Sequence, residues 1–260
     1  MSRRYYVRNH IVPFEEDFTH EFKGHRNICV EDLPPWTQAN HEKSDRASRR
    51  AVSRALNAFL NTGHGGKVYL GVVDSGEAKG LPLTRYQKDH LLLTLVDVMG
   101  RYNPPVKKHR YSVKFVPVCD SEEDAYIGKD FREDMNIDPK LQLQQHNLRN
   151  YEYCWCDKDA AMQFNAGIMA QDYIVEIKIK PWDPDNPFNK DDGCGSIVNI
   201  HPIHENEEGL CFFRRQASVI QYTMAELAQL TRQEVRESCH GMITKLKREI
   251  KTLQQQKMKD

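Results

Sequence analysis

No stretch of this chain approaches the roughly 18 to 20 consecutive apolar residues that a membrane-spanning helix requires. The opening residues, MSRRYYVRNH, hold no apolar run of the kind that marks a secretory leader. A cytoplasmic location, or a nuclear one, is therefore the expectation, with no membrane partner. Neither sign of charge is in excess: Lys plus Arg and Asp plus Glu both count 37, so only local patches can argue for a nucleic-acid partner. A disulfide framework is also missing. The seven cysteines are odd in number and scattered at 29, 119, 154, 156, 194, 211 and 239, which reads as reduced thiols. Neither a G-x-S-x-G elbow nor a G-x-x-x-x-G-K-[ST] phosphate loop is present, so the sequence gives no support to serine-nucleophile or P-loop chemistry.

What is present is enough for a core: 260 residues, 39% of them hydrophobic. Ala47, Ala51, Val52, Ala55, Leu56, Phe59 and Leu60 recur at the spacing of one buried helical face, with Ser44 placed to cap it and the glycines of NTGHGG to end it. KVYLGVVD (67–74) is β-branched, largely apolar and acid-terminated, the pattern of a central strand. A second helix is predicted from about Leu83 to Met99. HRYSVKFVPV and DYIVEIKIKPW alternate as strands, and Thr223 with Glu226 forms a capping box for a late helix. These elements predict an α+β fold with a mixed, mostly antiparallel sheet flanked by helices, spanning 1–231. It carries insertions at about 24–43 and 119–171, the second rich in acids, Gln and Asn and expected to hold weak structure. In 232–260, Cys239, Ile243, Leu246, Ile250 and Leu253 step by four and three, a heptad seam in a charged helical tail suited to pairing as a coiled coil.

Glu16 and Glu21, in EEDFTHEFK, and Asp74, closing GVVD, are acids at or beside strand ends. Such carboxylates around one cleft suit Mg²⁺ or Mn²⁺, because hard cations take oxygen ligands and phosphodiester cleavage develops charge that a metal stabilises. Spacing alone reads more readily as solvated strand caps, which are common.

The order EFK, a helix ending AFLNTGHGG, KVYLGVVDSGEAKG and much later CFFRRQAS before a MAEL helix resembles the Schlafen (AlbA_2) domain over roughly 14–230, closest to the short Schlafen-like proteins. The resemblance implies a divalent-metal-dependent endoribonuclease cleaving structured or small precursor RNA, tRNA-like or piRNA-precursor-like. Its catalytic and metal-binding acids would be Glu16, five residues before the acid of EFK, Glu21 itself and Asp74. Family members with two tandem lobes cradle RNA, whereas this chain shows one. Either the insertions replace the second lobe or a second chain supplies it, as a homodimer or a heteromer with another Schlafen-domain chain; the heptad tail favours the second option and offers the C-terminal helix as the joint. The rival reading is a non-catalytic RNA-binding or scaffolding subunit of such a complex.

Candidate RNA-binding residues are Arg46, Arg50 and Arg54, four apart on one helix face, with Arg49 beside them; Lys23; Lys107 and Lys108; and Arg214 with Arg215, one of which must point inward if its strand alternates. An ordinary solvated helix face reads the arginine row equally well. Larger Schlafens carry a His/Cys zinc site whose His-x-Cys pair and adjacent cysteines do not occur at the matching places here. A structural zinc drawing on Cys154, Cys156, Cys194, His201, His204 and Cys211 is the disfavoured alternative, since C-x-C departs from the usual knuckle spacing.

Overall fold

The structure, a computed structural model, describes residues 5–32, 51–126, 144–150, 153–189 and 200–257. It divides into two compact units. The first comprises Met1–Pro181 and Ile203–Gln221, the second Trp182–Pro202 and Tyr222–Asp260.

In the first unit the elements run β1 (Tyr6–Val7), β2 (His20–Lys23), α1 (Val52–Asn61), β3 (Gly66–Leu70), β4 (Leu81–Pro82), α2 (Arg85–Arg101), β5 (Tyr111–Cys119), α3 (Glu122–Tyr126), α4 (Trp155–Asn165), β6 (Asp172–Ile179), β7 (Phe212–Arg215) and β8 (Ser218–Gln221). Six strands form one sheet in the order β1-β5-β6-β3-β2, with β4 also on β6, and β7-β8 make a separate hairpin. The fold is α+β, and the main sheet is mixed: β1 with β5 and β2 with β3 are parallel, while β6 is antiparallel to β3, β4 and β5.

Alternation explains how one strand serves two cores. Val68 and Leu70 of β3 pack with Val175, Ile177 and Ile179 of β6 against α1 and α2. Tyr69 and Ile174 face the other way, joining Tyr6, Phe22, Val116 and Val118. Burial on both faces is why KVYLGVV reads as a near-continuous apolar run. The ladder nevertheless stops at Leu70. Gly71 adopts φ 93°, its N–H donates to Lys23 O, and its carbonyl accepts from both Lys79 and Gly80. Asp74 thus sits in an exposed turn beyond the strand rather than at its end.

Helix α1 begins at Val52, because Ala51 is its N-cap, with ψ 141° and no side-chain cap; the helix therefore starts later than the Ser44 signal predicts, and Ser44 and Ala47 lie outside the described residues. Helix α2 starts at Arg85, where Thr84 and Gln87 complete a capping box. The segment between β5 and β6 is more structured than its composition suggests, since it includes α3 and α4. In the second unit, α5 (Met224–Lys257) runs as one continuous helix through the charged tail. Thr223 and Glu226 cap it reciprocally, Thr223 N–H donating to Glu226 Oε2 at 2.7 Å. Among the described residues no helix is long and apolar enough to cross a membrane.

Candidate functional site

Glu16, Glu21 and Asp74 line one cleft of about 680 Å³, together with Lys23, Arg54 and the β7-β8 hairpin from Phe212 to Gln221. Each is delivered by a different local device. Asp17 closes the turn before β2, its Oδ1 accepting from the N–H groups of Thr19 (2.6 Å) and His20 (2.8 Å). Partial burial works against its charge, but these hydrogen bonds hold its carboxyl below the ordinary range. The turn folds Glu16 back so that its Oε1 accepts from Phe22 N–H at 2.7 Å. Glu21 projects from β2 itself, and Asp74 comes from the turn that follows Gly71.

The environments of the three acids differ. Burial pushes the Glu16 carboxyl above its ordinary pKa; the Phe22 N–H opposes the rise and the neighbouring Glu21 charge adds to it. Glu21 is buried and engaged at both oxygens: Lys23 Nζ donates to Oε1 at 2.5 Å and Arg214 Nη1 to Oε2. Asp74 is exposed, and among the described residues no hydrogen bond or ion pair engages it. The acids share the cleft without forming a converged ligand cluster.

The basic residues divide sharply. Arg214 points inward and Arg215 outward, as strand alternation requires. Arg214 donates to Asp17 O (2.8 Å) and His20 O (2.7 Å) as well as Glu21, and its guanidinium lies 5.3 Å from the Phe59 ring centre. Lys23 is likewise buried and donates to Phe22 O at 2.8 Å. In this arrangement the donors of Arg214 and Lys23 are committed to protein acceptors rather than offered to a phosphate backbone. Arg54 lines the cleft but forks onto Glu208, at 2.7 and 2.6 Å. Lys107 and Lys108 are exposed beside β5 and do not line the cleft. Arg46, Arg49 and Arg50 lie outside the described residues.

Asn61 of the AFLNTGHGG motif and Asn57, which the sequence reading did not single out, position the hairpin. Asn57 and Asn61, one turn apart on α1 and fully buried, act as a clamp. Asn57 accepts from Phe212 N–H (2.7 Å) and donates to His204 O (2.8 Å), while Asn61 accepts from His204 N–H (2.7 Å) and donates to Phe212 O (3.1 Å).

The sulfur chemistry gathers elsewhere. Cys154 and Cys156 meet His90 of α2 and His146, all four ligand atoms lying within 4.8 Å of one another. Burial, then the neighbouring His146, keeps His90 below its ordinary pKa; burial likewise lowers His146 and pushes the Cys156 thiol up. His90 lies 66 positions before Cys156 and carries no sequence signature, whereas His146 stands only eight positions before Cys154, a nearby histidine that the sequence reading passed over. Of the other proposed zinc ligands, Cys211 and His204 are buried near the asparagine clamp, with His204 Nδ1 2.5 Å from Pro104 O. His201 sits 3.8 Å from Glu234 in the second unit, and Cys194 lies outside the described residues. No family model matches the chain.

Proposed function

We propose that this chain is a Schlafen-type, divalent-metal-dependent endoribonuclease acting on structured or small precursor RNA, tRNA-like or piRNA-precursor-like. The observation that carries this reading is that Glu16 and Glu21, five residues apart, line one cleft with Asp74, which comes from a turn about fifty residues later. The donor set is all carboxylate oxygen, which suits Mg²⁺ or Mn²⁺ in kind. Glu16, Glu21 and Asp74 would hold the ion, which would polarise the scissile phosphate and activate a water or the ribose 2′-hydroxyl.

The protein's own contributions are positional. Phe22 N–H fixes one oxygen of Glu16, and Lys23 with Arg214 fixes the orientation of Glu21. Outward-facing Arg215 provides a cationic group for a phosphate backbone, and Arg54 at the cleft would do so only by releasing Glu208. A second lobe would come from a second chain recruited through α5.

One observation favours the rival reading, a non-catalytic RNA-binding or scaffolding subunit: both oxygens of Glu21 are already paired with buried cations. The two readings separate in one assay. Purified chain is incubated with tRNA or short single-stranded RNA and Mn²⁺, alongside Asp74→Asn and Glu16→Gln. Cleavage by the parent chain and its loss in both variants supports catalysis. Salt-dependent RNA binding without cleavage supports the scaffold, and cleavage that survives both substitutions removes the carboxylate mechanism.

A further inference from the structure

We propose that His90, His146, Cys154 and Cys156 form a structural Zn²⁺ site that fastens the segment between β5 and β6 onto α2. This site lies apart from the cleft and does not rest on the nuclease reading.

The geometry comes first. Zinc held by two thiolates and two imidazoles is tetrahedral, with Zn–S of about 2.3 Å and Zn–N of about 2.05 Å, so a sulfur and a nitrogen sharing the ion stand about 3.6 Å apart. Cys156 Sγ lies 3.6 Å from His90 Nδ1, and Cys154 Sγ lies 3.7 Å from His146 Nδ1. Two edges of the tetrahedron are therefore already at ligand spacing. All four ligand atoms lie within 4.8 Å of one another, whereas no edge of the zinc tetrahedron exceeds about 3.8 Å, so the shell needs to close by about 1 Å or more at its widest. The Cys156–His90 pair joins α4 to α2, while His146 and Cys154 lie eight positions apart in the same segment, so one ion on all four would tie that segment to α2.

Burial disfavours a thiolate at Cys156, and the local dipoles offset part of that cost. Cys154 is the N-cap of α4 and Cys156 lies in its first turn, where the helix dipole favours negative charge. Asn147 N–H donates to Cys154 Sγ at 3.3 Å, a backbone hydrogen bond of the kind that stabilises a ligating sulfur. Burial is complete enough to protect the thiolates, at 2% exposure for Cys154 and 0% for Cys156. The outer groups fix the frame: Trp155 stacks on His146 with ring centres 4.8 Å apart, and Asp157 accepts from Gln87 (2.7 Å) and from Arg26.

Chemistry selects the metal. An S₂N₂ donor set with no carboxylate is soft enough to exclude Mg²⁺ and Ca²⁺ and suits Zn²⁺. Four protein ligands leave no open position, the mark of a structural rather than a catalytic site. On binding, each cysteine S–H gives its proton to solvent and each sulfur donates its electron pair to the ion. Two thiolates and two neutral imidazoles balance the charge of Zn²⁺.

The full chain, isolated without chelator, is analysed for metal by inductively coupled plasma mass spectrometry. About one zinc per chain is expected, falling to background in Cys154→Ser/Cys156→Ser and staying at about one in Cys211→Ser and Cys239→Ser. Should the double variant fail to fold, Co²⁺ titrated into metal-stripped parent chain decides the matter. Visible d–d bands of tetrahedral Co²⁺ with thiolate charge transfer support the site. Absence of those bands, zinc retained in the double variant, or zinc lost equally from the two control variants overturns it.

Discussion

Arg214 on β7 forms a buried ion pair with Glu21 on β2, across 193 positions of sequence, and Lys23 Nζ stands 2.5 Å from the other oxygen of the same carboxylate. Two cations and one acid thus share a site that water barely reaches, with Arg214 4% and Lys23 6% exposed. Removing the acid would strand both. Breaking a buried pair by deleting one partner costs roughly 3 to 5 kcal/mol. Glu21→Ala should accordingly lower the urea midpoint by about that free energy, whereas Asp74→Asn, exposed and unpaired among the described residues, should stay within about 0.5 kcal/mol of the parent chain. Lost cleavage in Glu21→Ala would then report folding as much as catalysis. Asp74→Asn is the cleaner probe, and equal stability of the two variants would contradict the buried network.

Glu16 gives a pH signature. Its folded pKa lies above the ordinary 4.5, so the folded state binds this proton more tightly than the unfolded state does. Stability from this group is therefore fully present below about 4.5 and declines as pH rises through the window up to the raised value. Glu16→Gln removes the titration. The difference in unfolding free energy between Glu16→Gln and the parent chain should shift in favour of the variant as pH rises from about 4 to 7. A difference that stays flat, or runs the other way, would mean that Glu16 is not burdened by burial.

Much of this fold could be read from local pattern, and the limits of that reading have physical causes. The alternation of DYIVEIKIK and the Thr223/Glu226 box express short-range geometry and appear where the pattern put them, and the periodicity of α1 holds from Val52 to Leu60, although Ala51 is its N-cap rather than a helical residue. The end of β3 was not legible, because Gly71 rather than the apolar run decides it. The roles of Lys23 and Arg214 were missed for a related reason: whether a basic residue faces RNA or a buried acid depends on which strand lies opposite. His90 was invisible, since α2 and the segment after β5 meet only in three dimensions, whereas His146, eight positions before Cys154, could have been read with the cysteines.

The glycine pair that ends GHGG should be intolerant of any side chain. Gly65 has φ 70°, and a Cβ there would collide with the backbone of Ile179 to Pro181. A Cβ on Gly66 would enter the ring of Phe59, which is fully buried and covers the Arg214 guanidinium. Overpacking of this sort costs typically 1 to 3 kcal/mol. Gly66→Ala should therefore lower the melting temperature clearly, while His64→Ala, in the exposed turn beside it, should leave it nearly unchanged. Differential scanning fluorimetry on the two variants is sufficient, and a Gly66→Ala chain as stable as the parent would contradict the packing.

The asparagine clamp predicts a loss of a different kind. Asn57→Leu keeps volume but leaves the Phe212 N–H without its 2.7 Å partner and takes one donor from His204 O, both buried. Each buried group left unpaired costs roughly 1 to 3 kcal/mol, so destabilisation on the order of 3 kcal/mol is expected by urea titration. Hydrogen exchange should localise the damage to β7 and β8, the hairpin that walls the cleft. Uniform protection across both strands would count against the clamp.

The last prediction concerns α5. Ile243, Leu246, Ile250 and Leu253 are 49 to 63% exposed on one seam, with Ile at the first and Leu at the fourth position of the heptad and Cys239 half-buried at its start. That combination favours two-stranded parallel pairing, so a second copy of this chain is the expected occupant. The seam covers little more than two heptads, so the association should be concentration-dependent rather than permanent. Multi-angle light scattering across a dilution series should move from dimer to monomer mass. Leu246→Lys/Ile250→Lys should be monomeric throughout, because a lysine at a seam position must be buried against its own counterpart. High salt should leave the parent dimer intact, since apolar burial rather than exposed ion pairing holds it. A parent chain that is monomeric at every concentration would sink self-pairing, and with it the idea that a second copy brings the second lobe.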